Sequence, residues 1–287
     1  MELTKKIAHV YRRVDYLVGK KLFGNTVGVK NNLAGTAMKV RRAKILDGNE
    51  ATNNLVSELK SKQFLMLDHP YEDELINSIR TKYNQMIEND ESSYVTGQLD
   101  GKVYSRHIRE PWKHIPELEK LITGYISNIL REYYNGYFNV RLIEMNRNYH
   151  IPMELQDNEL FSNHWHCDNR STEFLKIFVC ISDVTEENGP FHCIPPQRTK
   201  ELIKKGFGTR VDYNLPIEEI EDPKYLVKAI GKAGDAYFAN PQMCLHKAGN
   251  PAPEKYRDII HIVFGPSSKP LPENWLSTFV QSKGYNP

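Results

Sequence analysis

FLKIFVCISDVTEENGPFHCI, residues 174–194, holds two apolar runs joined by a turn signal. The first run, 174–183, and the second, 190–194, are rich in Val, Ile and Phe, and Glu187-Asn188-Gly189-Pro190 separates them. Residues of that kind between turn formers read as short strands. The same texture extends in both directions. Further strands are predicted near 139–146 and 162–168 upstream, and near 225–230, 235–239, 245–248 and 257–264 downstream. A second turn stands at Gly231-Lys232-Ala233-Gly234-Asp235, and the stretch 198–222 reads as mixed helix and loop. Many short strands with regular turn signals predict a mainly β chain with flanking helices, folded as a double-sheet barrel or jelly roll.

The N-terminal part has a helical period instead. Leu3, Ile7, Val10, Val14 and Leu17, widened by Tyr11 and Val18, place an amphipathic helix over 3–22. Residues 1–44 carry eleven Lys or Arg against Glu2 and Asp15, a local net charge of +9. The favoured expectation is a helix that docks its stripe on the main domain or on a second subunit. Contact with a membrane surface or nucleic acid is the sharper alternative for so basic a helix. Gly24 to Gly35 reads as a loop or linker, which divides the chain into 1–50 and a single domain over 51–287. Helices are predicted over 51–61, 72–89 and 115–134, and a short buried strand at Phe64-Leu65-Met66-Leu67. The polar stretch 92–112, with Arg106, His107 and Arg109, reads as an irregular loop, either a lid or a mobile segment.

Hydrophobic residues make up 40% and charged residues 26% of the 287, a globular composition. No apolar stretch reaches the roughly 20 residues that span a bilayer. No continuous apolar run follows Lys5 and Lys6 within Met1–Val10, so the expectation is a cytoplasmic protein without a secretory signal. Cys167, Cys180, Cys193 and Cys244 form no C-x-x-C pair and are expected to be reduced thiols.

The densest chemical signal is Asn163-His164-Trp165-His166-Cys167-Asp168. On a strand, His164, His166 and Asp168 would point to one side, and Trp165 away from it. His166 and Asp168 then supply two adjacent ligands for a divalent metal, and His246 is the best candidate for the third. Two histidines and one carboxylate with open positions remaining is the usual arrangement of non-haem Fe(II) oxygenases. A zinc site built from Cys167, Cys193, Cys244 and nearby histidines competes, but structural zinc sites draw on closely spaced pairs. Of His192 and Cys193, which alternate, one is expected to face the cavity.

Ordered landmarks run across residues 55–266: Leu59-Lys60-Ser61-Lys62-Gln63-Phe64, His166-Cys167-Asp168, Ile181-Ser182-Asp183-Val184, Glu187-Asn188-Gly189-Pro190-Phe191, Ile194-Pro195, Gly234-Asp235-Ala236, His246 with Asn250, and Arg257 opening an apolar strand. In this order and spacing the chain resembles the phytanoyl-CoA dioxygenase-like family of Fe(II)/2-oxoglutarate oxygenases. The resemblance implies a double-stranded β-helix (cupin-like) core. His166, Asp168 and His246 would be the metal triad, and Arg257 the clamp on the distal carboxylate of 2-oxoglutarate. Fe(II), 2-oxoglutarate and O2 would be the cofactors and co-substrates, and a small molecule would be oxidised, usually by hydroxylation. Halogenating relatives have Gly or Ala where Asp168 stands, which speaks against halogenation.

Two positions depart from the family pattern. Pro196-Gln197-Arg198 replaces a frequent Gly-Ser-His, and Ala248 stands where a hydroxyl residue often helps to hold 2-oxoglutarate. Arg106, Arg109, Arg141 and Lys176 are basic candidates for an anionic substrate group, each weighed against an ordinary ion pair. A non-catalytic jelly-roll scaffold that works through its basic helix is the alternative function. A homo-oligomer is compatible with either, and nothing marks a nucleic-acid partner.

Overall fold

The computed structural model describes residues 2–23, 25, 27–41, 50–208 and 215–281. Residues 42–49, where the expected boundary between an N-terminal segment and the main domain falls, and 209–214 of the 198–222 stretch lie outside the described residues. In chain order the elements are α1 (Glu2–Phe23), α2 (Val29–Arg41), α3 (Glu50–Lys62), β1 (Phe64–Leu67), α4 (Asp73–Ile87), β2 (Ser93–Leu99), β3 (Lys102–Ile108), α5 (Gly124–Tyr134), β4 (Tyr137–Tyr149), β5 (Leu175–Val179), β6 (Phe191–Ile194), α6 (Pro196–Lys205), α7 (Ile217–Ile220), β7 (Val227–Ala229), β8 (Ala236–Ala239), β9 (Leu245–Ala248) and β10 (Tyr256–Ser267).

The strands form two antiparallel sheets, β1-β8-β5-β10-β4-β3-β2 and β7-β6-β9, the jelly roll expected. The period-2 alternation of the large sheet sorts its side chains. Ile143, Met145, Leu175, Ile177, Val179, Phe238, Ile260 and Ile262 face one way and pack against α3, α4 and α5 through Leu59, Ile76, Ile79, Ile126 and Leu130. The opposite face meets the small sheet through Phe64, Phe178, Phe191, Tyr237 and Ile259. Phe178 and Tyr237, paired across β5 and β8, stack at 4.7 Å and 11°.

Four expectations need correction. The stretch 92–112 is no irregular loop: 93–108 is the β2–β3 hairpin. Its turn is Asp100-Gly101, both at positive φ (48° and 77°), the conformation a two-residue hairpin demands. Gly24 to Gly35 is not wholly a loop either, because α2 begins at Val29. Asparagines that suggested a turn serve this helix. The Asn25 side-chain oxygen accepts from Val27 N–H at 3.1 Å, and Asn32 Nδ2 returns to the Val27 and Gly28 carbonyls.

The single helix expected over 115–134 is two pieces, a 3-10 turn at Pro116–Leu121 and then α5. Thr123 caps α5 by accepting from Ile126 N–H. Lastly, the described part of the α1 stripe does not lie on its own domain, one of the two surfaces expected to receive it. Val10, Tyr11, Val14, Leu17 and Val18 are each two-fifths or more exposed. The helix is held instead through its other side, where Tyr16 Oη and Lys20 Nζ donate to the Gly208 and Phe207 carbonyls.

Candidate metal centre

His246 sits on β9 of the small sheet, and its backbone forms an isolated antiparallel bridge with His166. The two residues exchange N–H···O bonds of 3.0 and 2.9 Å. This bridge is all the strand structure that 162–168 contains, so the predicted strand there is absent. The loop is shaped by Asn163, whose side-chain oxygen accepts from Leu160 and Phe161 N–H, and by Ser162 at φ 60°. Asp168 is fixed separately, its N–H donating to Pro241 O at 2.9 Å. On this irregular backbone His164 does not follow the other two side chains: its Nε2 meets Gln156 O at 2.9 Å.

His166, Asp168 and His246 converge, each offering one ligand atom, and these atoms lie within 4.8 Å of one another. Asp168 Oδ1 is 3.5 Å from His166 Nε2 and 3.7 Å from His246 Nε2. The far nitrogens are both occupied. His166 Nδ1 lies 2.8 Å from His164 O, and His246 Nδ1 lies 3.1 Å from Cys244 O. A carbonyl only accepts, so each Nδ1 carries a proton, and Nε2 is the nitrogen that each ring turns to Asp168 and offers to a metal. Phe191 stacks on the His246 ring at 5.4 Å and limits its rotation. Burial opposes the charging of His246. It pushes His246 well below its ordinary pKa, helped by His166. At Asp168 the neighbouring Lys176, with His166 and His246, outweighs burial and holds the carboxyl well below the usual carboxylate range. A neutral His246 imidazole beside an ionised Asp168 is the combination of protonation states that binds a divalent cation.

Lys176 takes the second carboxylate oxygen, its Nζ 2.8 Å from Asp168 Oδ2. It is thereby engaged inside the cavity. The other basic candidates are engaged as well: Arg106 pairs with Asp90 at 2.6 Å, Arg109 Nε donates to Ser93 O, and Arg141 turns to Pro266 O at 3.5 Å. Trp165 packs away from the triad among Ile194, Leu202, Phe207 and Leu245, and its Nε1 donates to Glu221 at 3.0 Å. Neither His192 nor Cys193 lines the cavity. Cys193 is buried between the sheets, and His192 lies beside Trp165. No cysteine joins a three-residue ligand cluster among the described residues, which leaves the zinc alternative without a site.

The cavity around the triad has a volume of about 620 Å³. Arg257 opens onto it from β10 while only 5% exposed. Its Nη1 donates to Gly189 O at 2.5 Å, and its buried Nε has no partner among the described residues. Gln242, in the β8–β9 connection, was not singled out by the sequence. It is fully buried on the same cavity, and neither of its amide atoms has a partner among the described residues. A lone amide in a connection carries no sequence signal of this kind. The helix α2 braces the loop beside Asp168, since Asn31 Nδ2 donates to Asn169 Oδ1 at 2.9 Å and Lys39 pairs with Glu173 at 2.9 Å.

No protein-family model and no curated protein matches the sequence. Solved structures do resemble it. The epimerase SnoN from nogalamycin biosynthesis, in complex with Fe3+, alpha ketoglutarate and nogalamycin RO, superposes with a TM-score of 0.57 at 13% identity, covering 83% of this chain and 92% of that one. EctD from S. alaskensis gives 0.54 at 13% identity over 78% and 84%. HygX from Streptomyces hygroscopicus, with nickel, 2-oxoglutarate and hygromycin B bound, gives 0.50 at 15% identity over 76% and 89%. These likenesses establish a shared jelly-roll fold.

Proposed function

We propose that this chain is an Fe(II)/2-oxoglutarate-dependent dioxygenase acting on a small-molecule metabolite. The carrying observation is the convergence of His166, Asp168 and His246 with both Nε2 atoms turned to Asp168 Oδ1, in a cavity onto which a buried arginine opens with an Nε that has no partner among the described residues. Neighbours of the same fold bind Fe3+ and alpha ketoglutarate (SnoN) or nickel and 2-oxoglutarate (HygX), which supports the choice of cofactor. The order of landmarks supports the finer reading, a member of the phytanoyl-CoA dioxygenase-like family. One of those landmarks acquires a role here, because Gly189 presents the carbonyl that orients Arg257.

In this reading His166, Asp168 and His246 hold Fe(II). A metal held there would supply, together with 2-oxoglutarate, the activation of O2 needed to oxidise a substrate, with succinate as the co-product. The protein's own work is positional. Gly189 aims the Arg257 fork, which grips a carboxylate through two parallel N–H bonds and keeps its charge even when buried. Lys176 occupies Asp168 Oδ2, which leaves Oδ1 turned to the two histidine Nε2 atoms. Phe178, Phe191 and Tyr237 wall the space with apolar surface and limit access of bulk water. With a carboxylate at position 168, hydroxylation or a related oxidative conversion is favoured over halogenation.

The test is succinate formation from 2-oxoglutarate by Fe(II)-loaded protein in air. His246→Ala, which removes one of three metal ligands, is expected to lower it by about a hundredfold or more. Turnover and iron content equal to the wild type's would sink the assignment.

A further inference from the structure

We propose that the wall of this cavity built by β2, β3 and β4 binds a polyhydroxylated, uncharged or amine-bearing group, a glycoside-like part of the substrate. The inference deepens the oxygenase reading and rests on it for the identity of the cavity. Glu144, Asn146 and Asn148 alternate along β4 and therefore share one face, a row about 13 Å long. That face is turned to the cavity, while Ile143 and Met145 fill the core behind it. Ser105 and His107 stand opposite Asn148 and Asn146 on β3, and Thr96 on β2 completes the wall. The row lies beside the strand carrying Arg257, which is paired with Asn148, and His261, which is paired with Glu144.

The hydrogen bonds within the wall decide what it offers. Thr96 Oγ1 donates to Ser105 Oγ at 2.9 Å, and Ser105 Oγ donates to Asn148 Oδ1 at 3.1 Å. Asn146 Nδ2 donates to the same oxygen at 3.2 Å, so both of its lone pairs are used. The Asn146 carbonyl and the Asn148 amide hydrogens remain without a partner among the described residues. His107 Nδ1 is buried and has no partner among the described residues. Glu144 gives one oxygen to His261 Nε2 at 2.8 Å and keeps the other. The wall thus presents acceptors at Glu144 and Asn146 and a donor at Asn148 along one row.

An acyl chain laid here would leave each of these groups dry and unpaired, at about 1–3 kcal/mol apiece. A phosphate or carboxylate finds no cation to spare. Lys176 is bound to Asp168, Arg170 is itself partnered, and Arg257 belongs to the co-substrate. The Glu144 carboxylate would repel an anion as well. Hydroxyl groups, each donor and acceptor at once, meet every requirement, and an amine suits Glu144.

The test uses the full chain loaded with Fe(II) and 2-oxoglutarate without oxygen. It is probed with an array of mono- and oligosaccharide glycosides and, in parallel, with fatty acids and acyl-CoA thioesters. Saturable glycoside binding is expected, weakened about tenfold by Asn146→Ala and by Asn148→Ala, with the 2-oxoglutarate-dependent absorption band intact in both variants as the control for folding. Binding of acyl compounds instead of glycosides, glycoside binding untouched by both substitutions, or no glycoside binding at all would overturn the proposal. Loss of the absorption band in the wild-type protein would count against the oxygenase reading and is scored separately from the array.

Discussion

Arg257 shows how a single side chain can be legible for one reason and explained by another. Its distance of eleven residues from His246 singled it out. Its chemistry comes from burial and from Gly189, whose carbonyl fixes one arm of the fork while Nε stays unpaired. Burial lowers its pKa, yet guanidinium remains charged at neutral pH. Arg257→Ala is therefore expected to raise the 2-oxoglutarate concentration needed for half-maximal succinate formation by tenfold or more, with a smaller change in rate at saturation, since about 1.5–3 kcal/mol attaches to a hydrogen bond to a charged group. Unchanged co-substrate affinity would move the clamp to another residue. His166 and Asp168 were legible from their spacing, but on a false premise. They converge because one bridge to His246 and one bond to Pro241 hold an irregular loop, not because they share a strand. His164, which a strand would have aligned with them, is the residue that exposes the difference.

The elements read best where period and propensity agree. β5 and β10 were visible as apolar runs because both of their faces are covered, one by helices and the other by the small sheet and the cavity. The β2–β3 hairpin was missed because its strands are polar, although Asp100-Gly101 carried the turn signal. β4 was found as a strand, but the polar alternation of Glu144, Asn146 and Asn148 gives no indication that this face is interior. Alternation reports two faces without saying which one meets water. Behind β10 the alternation has a structural consequence. Asp258 points opposite to Arg257 and binds Arg147 through both oxygens, at 2.7 and 2.8 Å, while Tyr83 Oη donates to it from α4 at 2.8 Å. Asp258→Ala would leave the Arg147 guanidinium buried without its main partner. A loss of about 3–5 kcal/mol is expected in urea unfolding. A loss below about 1 kcal/mol would show that its other partners, Glu88 at 2.8 Å and Asn84 at 3.2 Å, suffice to hold Arg147.

At the scale of the whole molecule, two layers divide the labour. The helical layer and the outer face of the large sheet form a dry core that supports the fold, and the space between the sheets holds the candidate chemistry. The N-terminal helices join these layers unevenly. α2 braces the loop after Asp168, whereas α1 touches the body through Tyr16 and Lys20 and leaves its apolar stripe outside. The amphipathic period revealed α1, but a period cannot say which face docks. Because Leu17 is 52% exposed, Leu17→Glu is expected to change the unfolding free energy of the chain by less than about 0.5 kcal/mol. A loss of 2 kcal/mol or more would mean that the stripe is covered in the folded protein.

The central claim concerns the triad and its co-substrate, and one measurement bears on both. Protein purified without oxygen is given Fe(II), and its visible spectrum is recorded as 2-oxoglutarate is added. A weak metal-to-ligand charge-transfer band that grows with 2-oxoglutarate and is missing in Asp168→Ala is the predicted result. Bound iron with no such band at any 2-oxoglutarate concentration would contradict the account.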